Sequence, residues 1–287
     1  MSTVTDLIEE TRGHLHGFHK PQLNRLGADA TAAAPTVTVE FTTDTVARGS
    51  TICIDDELMY VWSTSGGILT VERGYLGTTA ATHSDGALIE INPRHPTPYI
   101  RAELRKEIAS WGVKIWDVVA VEVDVGLTQR TLELPNVPAD FLHVVGARRP
   151  STAAELAPRE LEYRYERGYG NRPTLVLKRC LPEAQTIEVL YAVPFDLTIF
   201  EDDVDLVDEL RLPASALDIP PLGAAWRLVA TREISRNEIS AAPEPRVNQD
   251  VPAQALIAAA RALKGIRDDR LGEEARLLQH KYGLRTP

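Results

Sequence analysis

The chain has 287 residues, 44% of them hydrophobic, and carries a formal net charge of −10. That length can bury two modest cores, while no apolar run approaches the roughly 18–20 residues of a membrane helix. The acidic excess speaks against a protein that grips nucleic acid by displacing counterions, but suits a wall past which a duplex slides. The opening MSTVTDLIEETRG has acids and no basic-then-apolar pattern, so it does not read as a signal peptide. Cys53 and Cys180 sit in or beside expected strands and read as two buried free thiols.

Leu7, Ile8, Thr11, Leu15, Phe18, Leu23 and Leu26 recur at three to four residues. Ser2 or Thr5 can cap such a helix, with Glu9 and Glu10 near its start. Gly17 and Pro21 interrupt it, which predicts one helix to about Leu15–Gly17 and a short second one around Gln22–Leu26. His14, His16 and His19 do not share a helix face and lack a carboxylate or cysteine to complete a metal site, so they read as solvated or interface residues. A small-residue linker, Ala28 to Pro35, follows.

Strand-length apolar runs come next, at Thr36–Phe41, Thr51–Ile54, Leu58–Trp62, Ile68–Val71 and Ala87–Ile91. Ser65–Gly66–Gly67 and Ser84–Asp85–Gly86 have turn chemistry, so residues 35–93 read as a meander forming a small barrel or sandwich. The long loop Arg73 to His83, RGYLGTTAATH, has no helical period. Arg73, Tyr75, Leu76 and His83 are its candidate exposed interaction residues. A proline-punctuated link leads to a helix over Tyr99–Trp111, with Ile100, Leu104, Ile108 and Trp111 on one stripe.

From Asp117 to about Ile199 the period changes to two, as in Val119, Val121, Val123 and Val125. Runs at Leu132–Leu134, Phe141–Val145, Leu161–Tyr165, Thr174–Lys178 and Thr186–Tyr191 then recur every ten to fifteen residues, which predicts an antiparallel sandwich over 117–200. Gly168 to Arg172 reads as a hairpin or loop tip and lacks the Gly-Lys-Ser/Thr of a nucleotide loop. Glu201, Asp202, Asp203, Asp205 and Asp208 lie in the densest acidic run, without the spacing or glycine of a calcium loop. They are read as a helix start whose acids face water, a channel or a partner.

Residues 222–234, LGAAWRLVATREI, read as a helix and 240–252 as an extended arm. Ala253 to Tyr282 is one long helix, interrupted in composition only by Gly265 and Gly272. From Arg261 to the end there are seven bases and four acids, a basic tail on an acidic protein. Leu256, Arg261, Leu263, Ile266, Arg267, Arg270, Leu277 and Tyr282 are its candidate residues for docking on another subunit or another protein. The fold class is thus α+β and β-rich: two antiparallel β modules joined and flanked by helices, with a long C-terminal helix. The segments are 1–34, 35–93, 94–116, 117–200, 201–239 and 240–287. No catalytic constellation emerges: there is no Gly-x-Ser-x-Gly elbow, and His83, His95 and His143 have no evident nucleophile partner. The expectation is a non-enzyme with no cofactor and no metal.

Three stretches carry a resemblance: RGYLGTTAATH with DGALIEINP, the helix that follows Asn92–Pro93–Arg94, and DIPPLGAAWRLVATREISRNE. Together they resemble the head-to-tail adaptor (connector) proteins of long-tailed actinobacteriophages. The resemblance implies a virion protein at the head–tail junction, assembled in the host bacterial cytoplasm as a ring of twelve copies beneath the portal. Its implied partners are the portal protein, neighbouring copies of itself, the next neck or tail protein, and DNA passing without sequence recognition; no membrane is involved. Two other readings stay open: a minor tail or baseplate protein sharing the loop module, and a carbohydrate-binding or hydrolytic virion protein built on the sandwich.

Overall fold

The computed structural model describes residues 2–15, 22–42, 46–134, 140–150, 159–167, 173–240 and 253–282. The expected turn at 168–172 and most of the expected arm, 241–252, lie outside these residues, as do His16 and His19. The chain divides into two compact units, one of Val4–Glu107 with Pro220–Ile266 and one of Met1–Thr3, Ile108–Ile219 and Arg267–Pro287. The fold is α+β with antiparallel sheets and four α-helices among the described residues. No helix there is long and apolar enough to cross a membrane.

The first unit opens with helix α1, Val4–Leu15, which buries Val4, Leu7, Ile8 and Thr11 along one face. Its first-turn acid is Asp6, and the Thr11 hydroxyl donates back to the Leu7 carbonyl at 2.7 Å. Gln22–Arg25 is not the second helix that Leu23 and Leu26 suggested: it is strand β1. Four residues after a proline gain little from one helical turn, whereas here they pair with the free edge of β6, Leu88–Ile91, from Gln22↔Ile91 to Arg25↔Leu88. Asn24 is buried and fixes this strand by donating to the Phe41 carbonyl at 2.8 Å and accepting the Phe41 N–H at 3.2 Å.

The remaining strands are β2 Thr36–Thr38, β3 Thr51–Ile54, β4 Glu57–Ser65 and β5 Ile68–Glu72. The sheet order is β1-β6-β3-β4-β5-β2. The sheet is not a closed barrel, but it curls until its two edges touch: Gly27 N–H donates to Thr38 O and Glu40 N–H to Arg25 O, each at 2.8 Å. Inside lie Leu26, Val37, Ile52, Ile54, Met59, Val61, Leu69, Ile89 and Ile91. Helix α2, Thr97–Ala109, places Ile100 and Leu104 at full burial on its expected stripe. Helix α3, Ile219–Ser240, crosses α2 at Gly223, and the buried Glu107 carboxylate receives Arg227 at 3.0 Å.

The second unit holds the two sheets expected from the period-two pattern. Strands β7 Asp117–Val125, β9 His143–Arg149, β10 Arg159–Glu160 and β13 Gln185–Val193 form one, in the order β10-β9-β13-β7. Strands β8 Thr131–Glu133, β11 Tyr163–Arg167 and β12 Pro173–Leu177 form the other, in the order β11-β12-β8. Val123, Val125, Ile187, Val189 and Tyr191 of the first share a core with Leu132, Leu175 and Leu177 of the second, which makes this a two-sheet sandwich. Helix α4, Ala253–Lys281, buries Leu271 and Ala275, and sets Leu278 and Tyr282 against Trp116, Val145, Leu190 and Ala192.

Two further expectations need correction. Glu201–Glu209 starts no helix; it is a series of turns, because the Asp205 carboxylate binds backbone N–H groups that a helix would have used. Of the thiols, Cys53 is buried and burial pushes it up to about 12, but Cys180 is exposed beyond the end of β12.

A Cβ added at Gly223 would fall 2.2 Å from Cγ and Cδ of Glu107, a fully buried side chain held by Arg227. Gly223→Ala is therefore expected to cost about 2 kcal/mol, read as a lowered midpoint in urea unfolding.

Candidate functional site

The loop from Arg73 to His83 is folded around a carboxylate that sequence reading passed over. Glu57 opens strand β4 and is 1% exposed. Such a burial is costly unless every lone pair finds a donor. Its Oε1 accepts from Arg73 Nε at 2.7 Å and Gly74 N–H at 2.9 Å, while Oε2 accepts from Arg73 Nη2 at 2.7 Å and Ala81 N–H at 3.0 Å. His83 Nε2 lies 2.9 Å from the same Oε2, and its Nδ1 lies 2.8 Å from Asp55 Oδ2. Burial alone would push the Glu57 carboxyl up, but Arg73, the Ala81 N–H, His83 and the Gly74 N–H outweigh it and hold Glu57 at about 2.

Arg73, Gly74, Thr78, Ala81 and His83 of the motif each have a place in this clasp. Arg73 donates bidentately to Glu57, and its outer nitrogens reach the Thr31, Ala34 and Ala81 carbonyls. Gly74 has φ 61° and approaches the Thr78 carbonyl so closely that a Cβ would sit 2.9 Å from it. The Thr78 hydroxyl accepts the Leu58 N–H at 3.1 Å and donates to Tyr75 O at 3.0 Å. His83 also bridges Ala30 through two backbone bonds of 2.9 Å. Arg73 and His83 are therefore not exposed interaction residues: His83 is buried and the Arg73 side chain only 9% exposed, because they satisfy Glu57.

What the clasp exposes is the short turn Tyr75–Gly77. Leu76 takes a left-handed conformation at φ 54° and is 61% exposed at the tip. Tyr75 lies with its ring 5.3 Å from Tyr60, which in turn meets Trp62 edge-on at 4.8 Å. The β4–β5 register shifts between Val61 and Ser63, so Trp62 sits on a bulge, a device that turns a side chain outward. Trp62 is 47% exposed. Tyr60, Trp62, Tyr75 and Leu76 thus form one aromatic and apolar surface on a rigid base, the composition of interface anchors. Of these, sequence reading named Tyr75 and Leu76 and missed Tyr60, Trp62, Glu57 and Asp55. A charged residue at the head of an otherwise apolar strand was the available signal.

The acidic run divides. Glu201, Asp202, Asp203 and Asp208 are exposed. Asp205 is buried and faces neither channel nor partner: its Oδ1 accepts the Val207 and Asp208 N–H groups, both at 2.8 Å, which hold its carboxyl below the usual range. Next to it, Leu206 N–H donates to the Ser2 carbonyl at 2.9 Å.

On α4, Arg261, Ile266 and Leu277 are exposed and Leu263 is half-buried. The side chain of Leu256 is outside the described residues. Arg267 pairs with Asp268 at 2.7 Å and donates to Ser110 at 3.2 Å. Arg270 binds Asp218 at 2.7 Å, Glu273 at 2.6 Å and the Ser215 carbonyl at 2.8 Å, and so acts as an internal strut. Tyr282 packs against the Trp116 cluster. The buried residues of the helix are Leu271, Glu274 and Ala275.

No family model matches the chain, and no curated protein matches it. Among solved structures it is similar to a chain in the neck of an empty GTA particle computed with C6 symmetry, with 16% identity over 57% of this chain and 75% of that one, at a TM-score of 0.21. A likeness at that score carries no argument about fold or role.

Replacing Glu57 by Gln removes the charge that Arg73 and the two backbone N–H groups bind, and is expected to cost about 3 kcal/mol in urea unfolding at neutral pH. The pH dependence has a definite sign. Because the folded carboxyl sits near 2 against an ordinary 4.5, its contribution is complete above about 4.5 and is lost as pH falls towards 2. Wild type should therefore lose more stability than Glu57→Gln across that interval; parallel pH profiles would contradict the role given to Glu57.

Proposed function

We propose that this protein is a structural component of a tailed-phage virion that acts by assembly and not by catalysis, and that its place is the neck, as a head-to-tail adaptor beneath the portal. The observation that carries this reading is the clasped loop. A buried carboxylate with five hydrogen bonds from four residues holds Tyr75 and Leu76 beside Tyr60 and Trp62, a surface preorganised for a protein partner. The loop is also one of the three stretches that carry the sequence resemblance to the adaptor proteins. Exposed acids at Glu201, Asp202, Asp203 and Asp208 fit a surface past which DNA moves without being gripped. Ile266 and Leu277 supply apolar positions for a portal or subunit contact.

A second reading, a minor tail or baseplate protein, rests on the same loop, whose motif also occurs in tail proteins. Electron microscopy of virions carrying a tagged copy separates the two: label at the head–tail junction supports the adaptor, and label at the distal tail tip replaces it with the baseplate reading.

Trp62→Ala combined with Leu76→Arg should leave the melting temperature within a few degrees of wild type, since both side chains are exposed. The same variant should fall at least tenfold in incorporation into particles, scored by immunoblot of purified virions. Normal incorporation would remove the surface from the assembly pathway.

A further inference from the structure

The sandwich has one edge unlike its others. Strand β7 pairs with β13 over nine consecutive residues, Asp117↔Val193 to Val125↔Gln185, without a bulge. No described strand pairs with its other side. Edges of β-sheets are ordinarily blunted by shortness, bulges, proline or lysine. The edge strands β10 and β8 are two and three residues long. Residues 117–125, DVVAVEVDV, are long and contain no bulge, proline or lysine, and their exposed charges are Glu122 and Asp124.

Chemistry on β7 specifies what would cover it. Val119 and Val121 belong to the sandwich core but are only half-buried, whereas Val123 and Val125 are buried. An added strand would complete the burial with apolar side chains on the inner face. On the outer face Ala120, Glu122 and Asp124 are exposed. Glu122 stands directly opposite Glu188, a like-charge pairing that costs stability. Arg148 neutralises Glu188 from the far side at 2.6 Å. On the near side the missing neighbour is a strand with a basic residue facing outward.

The chain carries such a strand at its opposite flank. Sheet orders β10-β9-β13-β7 and β11-β12-β8 place β7 and β8, joined by residues 126–130, at one flank, and β10 and β11, joined by 161–162, at the other. Among the described strands β11 is an edge, paired with β12 alone. It alternates Tyr163 and Tyr165, half-buried against the same core, with the exposed Arg164 and Glu166. Arg164 meets Glu166 at 3.1 Å while 77% exposed, a surface pairing that is easily exchanged.

We propose that the β7 edge of one copy takes up the β11 edge of a second copy, with Arg164 set against Glu122. Unlike flanks join, so the contact is heterologous and repeats from copy to copy, as a ring requires. This deepens the assembly reading above by naming the surface through which copies meet, and it is tested separately from the position in the virion.

The test is sedimentation velocity of the full-length protein over a concentration series. Wild type should self-associate. Glu122→Arg and Arg164→Glu should each weaken association by roughly tenfold, and the two together should recover most of it. Hydrogen exchange on wild type gives a reading that needs no variant: amides of Ala120, Glu122 and Asp124 should slow as concentration rises. A protein that stays monomeric throughout, single variants that associate like wild type, or a double variant without recovery each overturns the proposal. Loss in Glu122→Arg with no effect of Arg164→Glu does so too, by assigning β7 to another strand. Label at the tail tip with the charge swap intact would remove the neck reading and leave this interface standing.

Discussion

The first unit depends on making a buried charge affordable. Glu57 sits at the start of the strand that runs through the middle of a six-stranded sheet, where an unpaired carboxylate would be intolerable. Its two oxygens draw in a guanidinium, an imidazole and two backbone N–H groups from residues 73 to 83. Removing any one partner leaves the charge under-satisfied, so the loop is specified all at once and not residue by residue. Such networks contribute more to a unique conformation than to net stability. That fits a loop whose tip must hold a left-handed leucine in place.

This inverts the meaning of the motif. An arginine and a histidine bracketing a glycine-containing loop resemble groups offered to a ligand. Here they face inward and are consumed by one glutamate, and the surface is made by the residues between and beside them. The acidic run shows the same inversion on a smaller scale: Asp205 organises its turns, and its neighbours meet solvent. In both places the residue with the most partners is the one least available to an outside molecule.

The β-strands with strict alternation, β7 above all, and the helices with a clean stripe, such as Ile100–Leu104–Ile108 in α2, were readable because burial on one side imposes the period directly. Gln22–Arg25 was misread because Leu23 and Leu26 have helical spacing, and only pairing with β6, sixty-odd residues away, makes that segment a strand. On α4, Leu271 and Ala275 are buried and Leu277 is exposed, a division that no local period in the sequence marks. Glu57 was invisible as a site residue because its partners follow sixteen to twenty-six residues later, and no local period links them.

The two cysteines end in opposite chemical worlds. Cys53 lies in β3 with its thiol against the Asp55 carbonyl at 3.4 Å, shielded and held at about 12, so hardly any of it is thiolate under ordinary conditions. Cys180 stands in solvent on the sandwich unit. A maleimide dye, a spin label or a gold cluster will thus discriminate between them without mutagenesis, giving the unmodified chain a single built-in attachment point from which distances within an assembly can be measured.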